Sequence, residues 1–278
     1  MPLHEALALG VLQGLTEFLP VSSSGHLVII PAFLGWSEPG LPFVVAVHLG
    51  TLLAVVAYYW KDWLRLVAAA AGWIGKLGRQ PASPGARTVG LLFLATIPAA
   101  AVGITLAQPV ETLFNKPAFA AGALLVTGLL LLAADARRAE GKAEGKGEAA
   151  TTWREALAVG VAQAVAVVPG ISRSGATIAT GLFAGLEREW AARFAFLLSV
   201  PVILGAGLKE IPDALKNGLT LAGVEALFIG AAAACLSGLV AIYVVIRAVR
   251  GRRLRWFAAY CFGLGFVTLV CHRAGLIA

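Results

Sequence analysis

Ionisable side chains inside an apolar chain mark where chemistry is expected, because holding them there is expensive. Four stand out: Glu17, His26, His48 and Arg173. The run Glu17-Phe-Leu-Pro-Val-Ser-Ser-Ser-Gly-His26 gathers a carboxylate, the hydroxyls of Ser22, Ser23 and Ser24, and an imidazole within ten residues. These are the groups of proton transfer and nucleophilic attack. Gln13 precedes Glu17 by one helical turn, so the two share a helix face. Ser24-Gly25 opens a new helix whose free N–H groups favour an anion. Plain N-capping also explains a serine at this point, but three hydroxyls exceed what one cap needs. A Glu17–His26 ion pair that holds the turn together is compatible with both residues being catalytic.

A second polar turn, Pro169-Gly-Ile-Ser-Arg-Ser-Gly-Ala-Thr177, has neither acid nor imidazole. It offers the planar fork of Arg173 with the hydroxyls of Ser172, Ser174 and Thr177, which is phosphate-binding chemistry. Held only for the fold, this arginine would want a carboxylate, and Glu17 could supply it. His48 has no polar partner nearby in sequence, and a packed histidine is the commoner state of such a residue. His4 and His272 lie near the chain ends and carry no assignment.

The elements that must position these groups are written twice. Residues 5–25 and 155–175 match at ten of twenty-one positions with a constant offset of 150. The chain is 59 % hydrophobic and 13 % charged, with a mean hydropathy of +0.84. Soluble domains carry about a quarter charged residues, so the fold class is an all-α integral membrane protein. The net charge of +7 belongs to no basic soluble domain, and no nucleic-acid partner is expected. Cys235, Cys261 and Cys271 have no metal or redox spacing and read as buried free thiols. The first residues lack a basic stretch and Glu17 interrupts the apolar run, so no cleaved signal peptide is expected.

Six stretches approach the roughly 20 residues a spanning helix needs: 42–60, 88–107, 118–134, 191–209, 225–246 and 256–272. Segments 3–35 and 155–186 are broken by Pro20 and by Pro169-Gly170. Each arm of about a dozen residues rises roughly 18 Å, too short to cross, so both read as re-entrant helix–turn–helix hairpins. The domain plan is then a first repeat over 1–134, a charged cytoplasmic linker over 135–154 and a second repeat over 155–278. Each repeat holds one hairpin and three spans, an odd number that inverts the second copy, the inverted-repeat plan of broken helices. With 61–87 as a cytoplasmic loop, seventeen of the 22 basic residues fall on one side. By the positive-inside rule both termini face outward, and the first hairpin enters from outside. The site is therefore expected to open to the outer face.

At its two turns the chain resembles the bacterial undecaprenyl-diphosphate phosphatase family, also called bacitracin-resistance proteins. The family's Glu/Gln-xxx-Glu and Pro-Val-Ser-Ser-x-Gly-His elements correspond to Gln13, Glu17 and Pro20 to His26. Its Pro-Gly-x-Ser-Arg-Ser-x-x-Thr element corresponds to Pro169 to Thr177 without a mismatch, and the similarity runs end to end. The resemblance implies hydrolysis of undecaprenyl diphosphate to the monophosphate, recycling the lipid carrier of peptidoglycan synthesis in the bacterial cytoplasmic membrane. It implies a polyprenyl diphosphate substrate among membrane lipids and a divalent cation, Mg2+ or Ca2+, held by Glu17 and Gln13. Gln13 is the permitted variant of the first acidic position and binds metal more weakly than a carboxylate. In that picture Arg173, Ser172, Ser174, Thr177, Ser22 and Ser24 bind phosphate, and His26 and Glu17 share proton transfer. Ser23 either attacks or orients a metal-activated water. A homodimer is compatible with the sequence.

Two other readings compete. The membrane acid-phosphatase superfamily also uses a Ser-Gly-His element, but it pairs its arginine with a downstream histidine that this chain lacks after Arg173. A carrier or flippase for a phosphorylated lipid would share the inverted repeat, yet has no need of the acid–base pair Glu17 and His26.

Overall fold

The structure is a computed structural model describing residues 1–75, 82–106, 112–113, 116–136, 145–216 and 221–277, with backbone alone at 213–216 and 222. Linker residues 137–144 lie outside the described residues, which takes in Arg137, Arg138 and Lys142; so do Lys76, Arg79 and the Lys216 side chain, all counted in the charge asymmetry. The described residues form eleven α-helices, one 3₁₀ turn and no strand. In order these are α1 Leu3–Phe18, α2 Ser23–Leu34, α3 Leu41–Tyr58, α4 Trp60–Gly75, α5 Pro84–Thr105 and α6 Pro117–Ala136. After the turn Glu148–Ala150 come α7 Trp153–Val165, α8 Arg173–Phe183, α9 Arg188–Lys216, α10 Leu221–Arg250 and α11 Leu254–Arg273.

The six expected spans are α3, α5, α6, α9, α10 and α11, each containing a stretch long and apolar enough to cross a membrane. Local chemistry fixes their starts. Pro84 opens α5 behind a Ser83 cap, and Thr152 with Glu155 closes a capping box on α7. The expected loop 61–87 instead begins with α4. Its Trp60, Leu64, Val67 and Ile74 are exposed along one face, an amphipathic pattern suited to a membrane surface and too polar for a span. Asp62 accepts from Arg193, and Arg65 meets both Glu148 carboxylate oxygens at 2.9 Å, pinning α4 to the second repeat and to the linker before it.

The repeated tract packs the same way twice, each copy against the other half of the chain. Helix α1 lies on α10, and α7 lies on α5. The shared glycines show why. A Cβ on Gly10 would stand 2.4 Å from the Gly230 carbonyl oxygen, and one on Gly160 would stand 2.4 Å from that of Ala95. Only a missing side chain permits such backbone approach. Each hairpin also returns to where it began. His4 and Trp36 meet edge to face at 6.2 Å, and Lys146 bonds the backbone of Gly185 and Glu187 at 2.9 and 3.0 Å. Beneath the first turn Phe18 packs edge to face on Phe196 at 5.6 Å, both fully buried.

Candidate active site

The α1–α2 and α7–α8 turns meet back to back. A Cβ on Gly25 would come 3.1 Å from the Gly170 Cα, and one on Gly175 would come 3.4 Å from the Pro20 Cβ. Gly170 has φ +92°, and any Cβ there would strike the Ala120 carbonyl oxygen at 2.3 Å, so no other residue fits. Thr127 on α6 staples this turn. It donates to the Gly170 carbonyl at 3.2 Å and accepts from the Ser172 N–H at 3.0 Å.

The duplicated serines cap. Ser22 Oγ accepts from the Gly25 N–H at 3.2 Å and Ser172 Oγ from the Gly175 N–H at 3.1 Å. Ser24 and Ser174 each lie 3.2 Å from their own cap hydroxyl. The contacts that join the two turns through Glu17 are built where the copies differ. The Ser23 hydroxyl donates to Glu17 Oε2 at 2.5 Å, and Gln13 Nε2 donates to the same oxygen at 3.0 Å. Arg173 Nη2 donates to Glu17 Oε1 at 2.7 Å, joining residues 156 positions apart. Glu17 is 6 % exposed and Arg173 14 %, so the ion pair is shielded from water, and each charge depends on the other for compensation.

These groups line one cavity of about 780 Å³. Its wall carries Glu17, Ser22, Ser23, Ser24, Ser172 and Arg173 against an otherwise largely apolar surface. The remaining expected site residues stand elsewhere. Gln13 is buried behind Glu17, and its Oε1 lacks a protein partner. Ser174 donates to the Leu19 carbonyl at 3.1 Å, and fully buried Thr177 bonds the Arg173 carbonyl at 2.8 Å. Both hydroxyls are thus committed to backbone and absent from the cavity wall. His26 is also outside it. Its Nδ1–H donates to the Ser22 carbonyl at 2.7 Å, and its Nε2 accepts from the Tyr260 hydroxyl at 2.8 Å while the rings stack.

The imidazole that does face the cavity is His48, whose Nε2 lies 3.9 Å from Glu17 Oε2 and whose Nδ1–H donates to the Val44 carbonyl at 2.8 Å. A polar residue interrupting an apolar span was the only sequence signal for it. Tyr260 had none, being an ordinary aromatic on a span. Gln163, also in the wall, was marked by the repeat as the counterpart of Gln13. Among the described residues no three His, Cys, Asp or Glu side chains cluster as a metal cage. A hard cation binds oxygen and often takes several ligands from a phosphorylated substrate. The Glu17 carboxylate in the cavity wall fits that partial role, with the orphan amide oxygen of Gln13 buried behind it as a second oxygen donor.

Comparison with known proteins shows the family of the chain. The sequence model for the family described as Bacitracin resistance protein BacA matches residues 6–267. An undecaprenyl-diphosphatase of Pelotomaculum thermopropionicum is 40 % identical over 275 residues, covering 99 % of this chain and 98 % of that protein. Proteins of the same name from Gemmatimonas aurantiaca and Geotalea daltonii are 42 % and 41 % identical over 268 and 271 residues. They cover 96 % and 97 % of this chain, and 97 % and 98 % of their own length.

Proposed function

The chain belongs to the bacitracin resistance protein family BacA, and on that footing we propose that it hydrolyses undecaprenyl diphosphate to undecaprenyl phosphate and inorganic phosphate. The observation that carries the mechanism is the hydrogen-bonded line from Ser23 through Glu17 to Arg173, in the wall of one largely apolar cavity.

The lipid tail lies along apolar wall residues such as Leu27, Val28, Leu49 and Ile203. Arg173 presents a buried, unpartnered Nη1, and its fork suits a terminal phosphate. Phosphate oxygens compete with Glu17 for the guanidinium, which frees the carboxylate to take the Ser23 proton. Ser23 Oγ then attacks the terminal phosphorus, and the bond to the bridging oxygen breaks. Undecaprenyl phosphate leaves with that electron pair. Water hydrolyses the seryl phosphate, releasing inorganic phosphate and returning the proton to Ser23 by way of Glu17. A divalent cation, Mg2+ or Ca2+, would be held by Glu17, Gln13 and phosphoryl oxygens, and it supplies charge neutralisation. His26 acts as a positioning residue for the turn that carries Ser23.

The site opens to the outer face of the cytoplasmic membrane. Its mouth carries Glu38, Gly103, Lys209 and Glu210, at the ends of α3, α5 and α9 opposite to those near Lys61, Arg87 and Arg188. The basic ends belong to the cytoplasm. The two hairpins then insert from opposite faces, as their matched packing supports.

The test is phosphate release from undecaprenyl or farnesyl diphosphate by the purified protein in detergent, with EDTA and with Mg2+ or Ca2+ restored. Release is expected with cation and not with EDTA. None under either cation would refute the phosphatase reading, and wild-type turnover by a Ser23→Ala variant would remove the covalent route.

A further inference from the structure

The duplication places a glutamine at the same point in both halves, Gln13 and Gln163, and only the first is bonded to a neighbouring side chain. Gln13 donates to Glu17 one turn further on. In the second half that next position is Val167, whose side chain can accept nothing. Gln163 is 1 % exposed, and neither its Nε2 nor its Oε1 has a hydrogen-bond partner. Buried carboxamides are almost always bonded, and leaving donor and acceptor both unmet is costly. A leucine would fill nearly the same space without that cost. Gln163 is one of the residues that line the cavity holding Ser23, Glu17 and Arg173, its amide buried just behind the surface, and Arg173 Nη1 is buried and unpartnered as well. Two orphan polar groups in one cavity wall, on the half that carries the guanidinium, are groups whose partners arrive with a ligand.

We propose that Gln163 is a substrate-binding residue that receives the lipid-linked phosphate of the diphosphate, the phosphate Ser23 does not attack. Its Nε2–H donates to an oxygen of that phosphate, and its Oε1 accepts from a protonated phosphoryl oxygen or from water carried in with it. The neutrality of the amide suits this place. It orients a phosphate that must depart as an anionic product, where a second arginine or a lysine would retain it. Arg173 and Ser23 engage the terminal phosphate, so Gln163 is the group that tells a diphosphate from a monophosphate. The identity of the ligand rests on the phosphatase reading.

The test compares the full-length wild type with Gln163→Leu and Gln163→Glu in detergent. Thermal unfolding is followed against methylenediphosphonate, a diphosphate mimic that cannot be cleaved, and against inorganic phosphate. Without ligand, Gln163→Leu is expected to melt at or above the wild-type temperature. It should need about tenfold more diphosphonate for the same stabilisation, with its response to inorganic phosphate unchanged. The KM for farnesyl diphosphate should rise by a similar factor while kcat stays within about threefold, and Gln163→Glu should raise KM further by repulsion. A leucine variant that melts well below the wild type or fails to fold, with a glutamate variant of unchanged KM, would overturn the proposal by giving the amide a structural role. Equal diphosphonate sensitivity in all three proteins would overturn it too. If the wild type releases no phosphate, hydrolysis is refuted while the diphosphonate titration still decides the role of Gln163.

Discussion

Replacing Glu17 by glutamine keeps its shape and removes its charge, and the structure makes three separate demands on that charge. Glu17 accepts from Arg173 at 2.7 Å, Ser23 at 2.5 Å and Gln13 at 3.0 Å. Glutamine has one oxygen, so its NH₂ must face either the guanidinium or the Ser23 and Gln13 donors. Breaking one side of a buried ion pair costs about 3–5 kcal/mol. At roughly 2–4 °C per kcal/mol for a chain of this order, the melting temperature should fall by on the order of 10 °C. Turnover should fall by about 10²–10⁴, the usual contribution of a general base. Affinity for inorganic phosphate should move the other way, because the released guanidinium seeks an anion. About tenfold less phosphate should then stabilise the variant to a given degree. Thermal scans in detergent across a phosphate series, with farnesyl diphosphate turnover on the same preparation, measure all three quantities. Glu17→Gln combined with Arg173→Met should be more stable than the sum of the single losses, since no unpaired charge remains. A melting temperature within 2 °C of wild type, or a double variant that is strictly additive, would refute the account of the pair.

Three further perturbations reach the rest of the site and its frame. His26→Phe keeps a ring against Tyr260 but cannot bond the Ser22 carbonyl, so kcat should fall about tenfold with the shape of the pH–rate profile intact; loss of one limb of that profile would instead make His26 a proton carrier. Gly160→Ala forces a Cβ to within 2.4 Å of the Ala95 carbonyl oxygen and should cost about 1–3 kcal/mol in thermal stability. Gly90→Ala, where a Cβ meets nothing within 4 Å, should be neutral or stabilising, and equal effects would contradict the close crossing. In a background with Cys235, Cys261 and Cys271 replaced, a membrane-impermeant maleimide should label Lys209→Cys in intact spheroplasts and leave Arg250→Cys unlabelled until lysis. The reverse pattern would turn the site to the cytoplasm.

What the sequence made legible was whatever chain neighbours decide. The six spans emerge from apolar length, the two broken segments from proline and polar residues at their centres, and the Gln13–Glu17 contact from a four-residue spacing that puts both on one helix face. Arg173 was legible as a guanidinium that needs an anion, with Glu17 as a carboxylate able to meet it, and their 2.7 Å contact followed only from the fold. Other contacts were not legible from the motifs. Thr177 resembles a phosphate ligand in sequence, yet its hydroxyl closes onto its own helix. Helix α4 escaped a search for apolar runs because a surface-lying helix is only half apolar, and its ion pairs come from residues far along the chain, Glu148 and Arg193.

The difference between His26 and its counterpart Ala176 has a backbone cause. Both turns use the same cap, but Ser172 sits at φ −72° while Ser22 sits at φ +69°, a left-handed conformation that costs a non-glycine residue about 1–3 kcal/mol. An unusual backbone needs external bonds to persist. The Ser22 carbonyl has such a bond from His26 Nδ1, and the ring is fixed from its far side by Tyr260 on α11. The relaxed twin at Ser172 needs no such prop, and alanine suffices. The strained turn is the one that delivers the next residue, Ser23, to within 2.5 Å of Glu17, whereas the relaxed turn delivers Arg173 to the other oxygen of the same carboxylate. One hydroxyl and one guanidinium reach a single carboxylate because two copies of one turn adopt different conformations. With both ring nitrogens of His26 bonded to the Ser22 carbonyl and Tyr260, the hydrogen-bond acceptor of the Ser23 hydroxyl is Glu17.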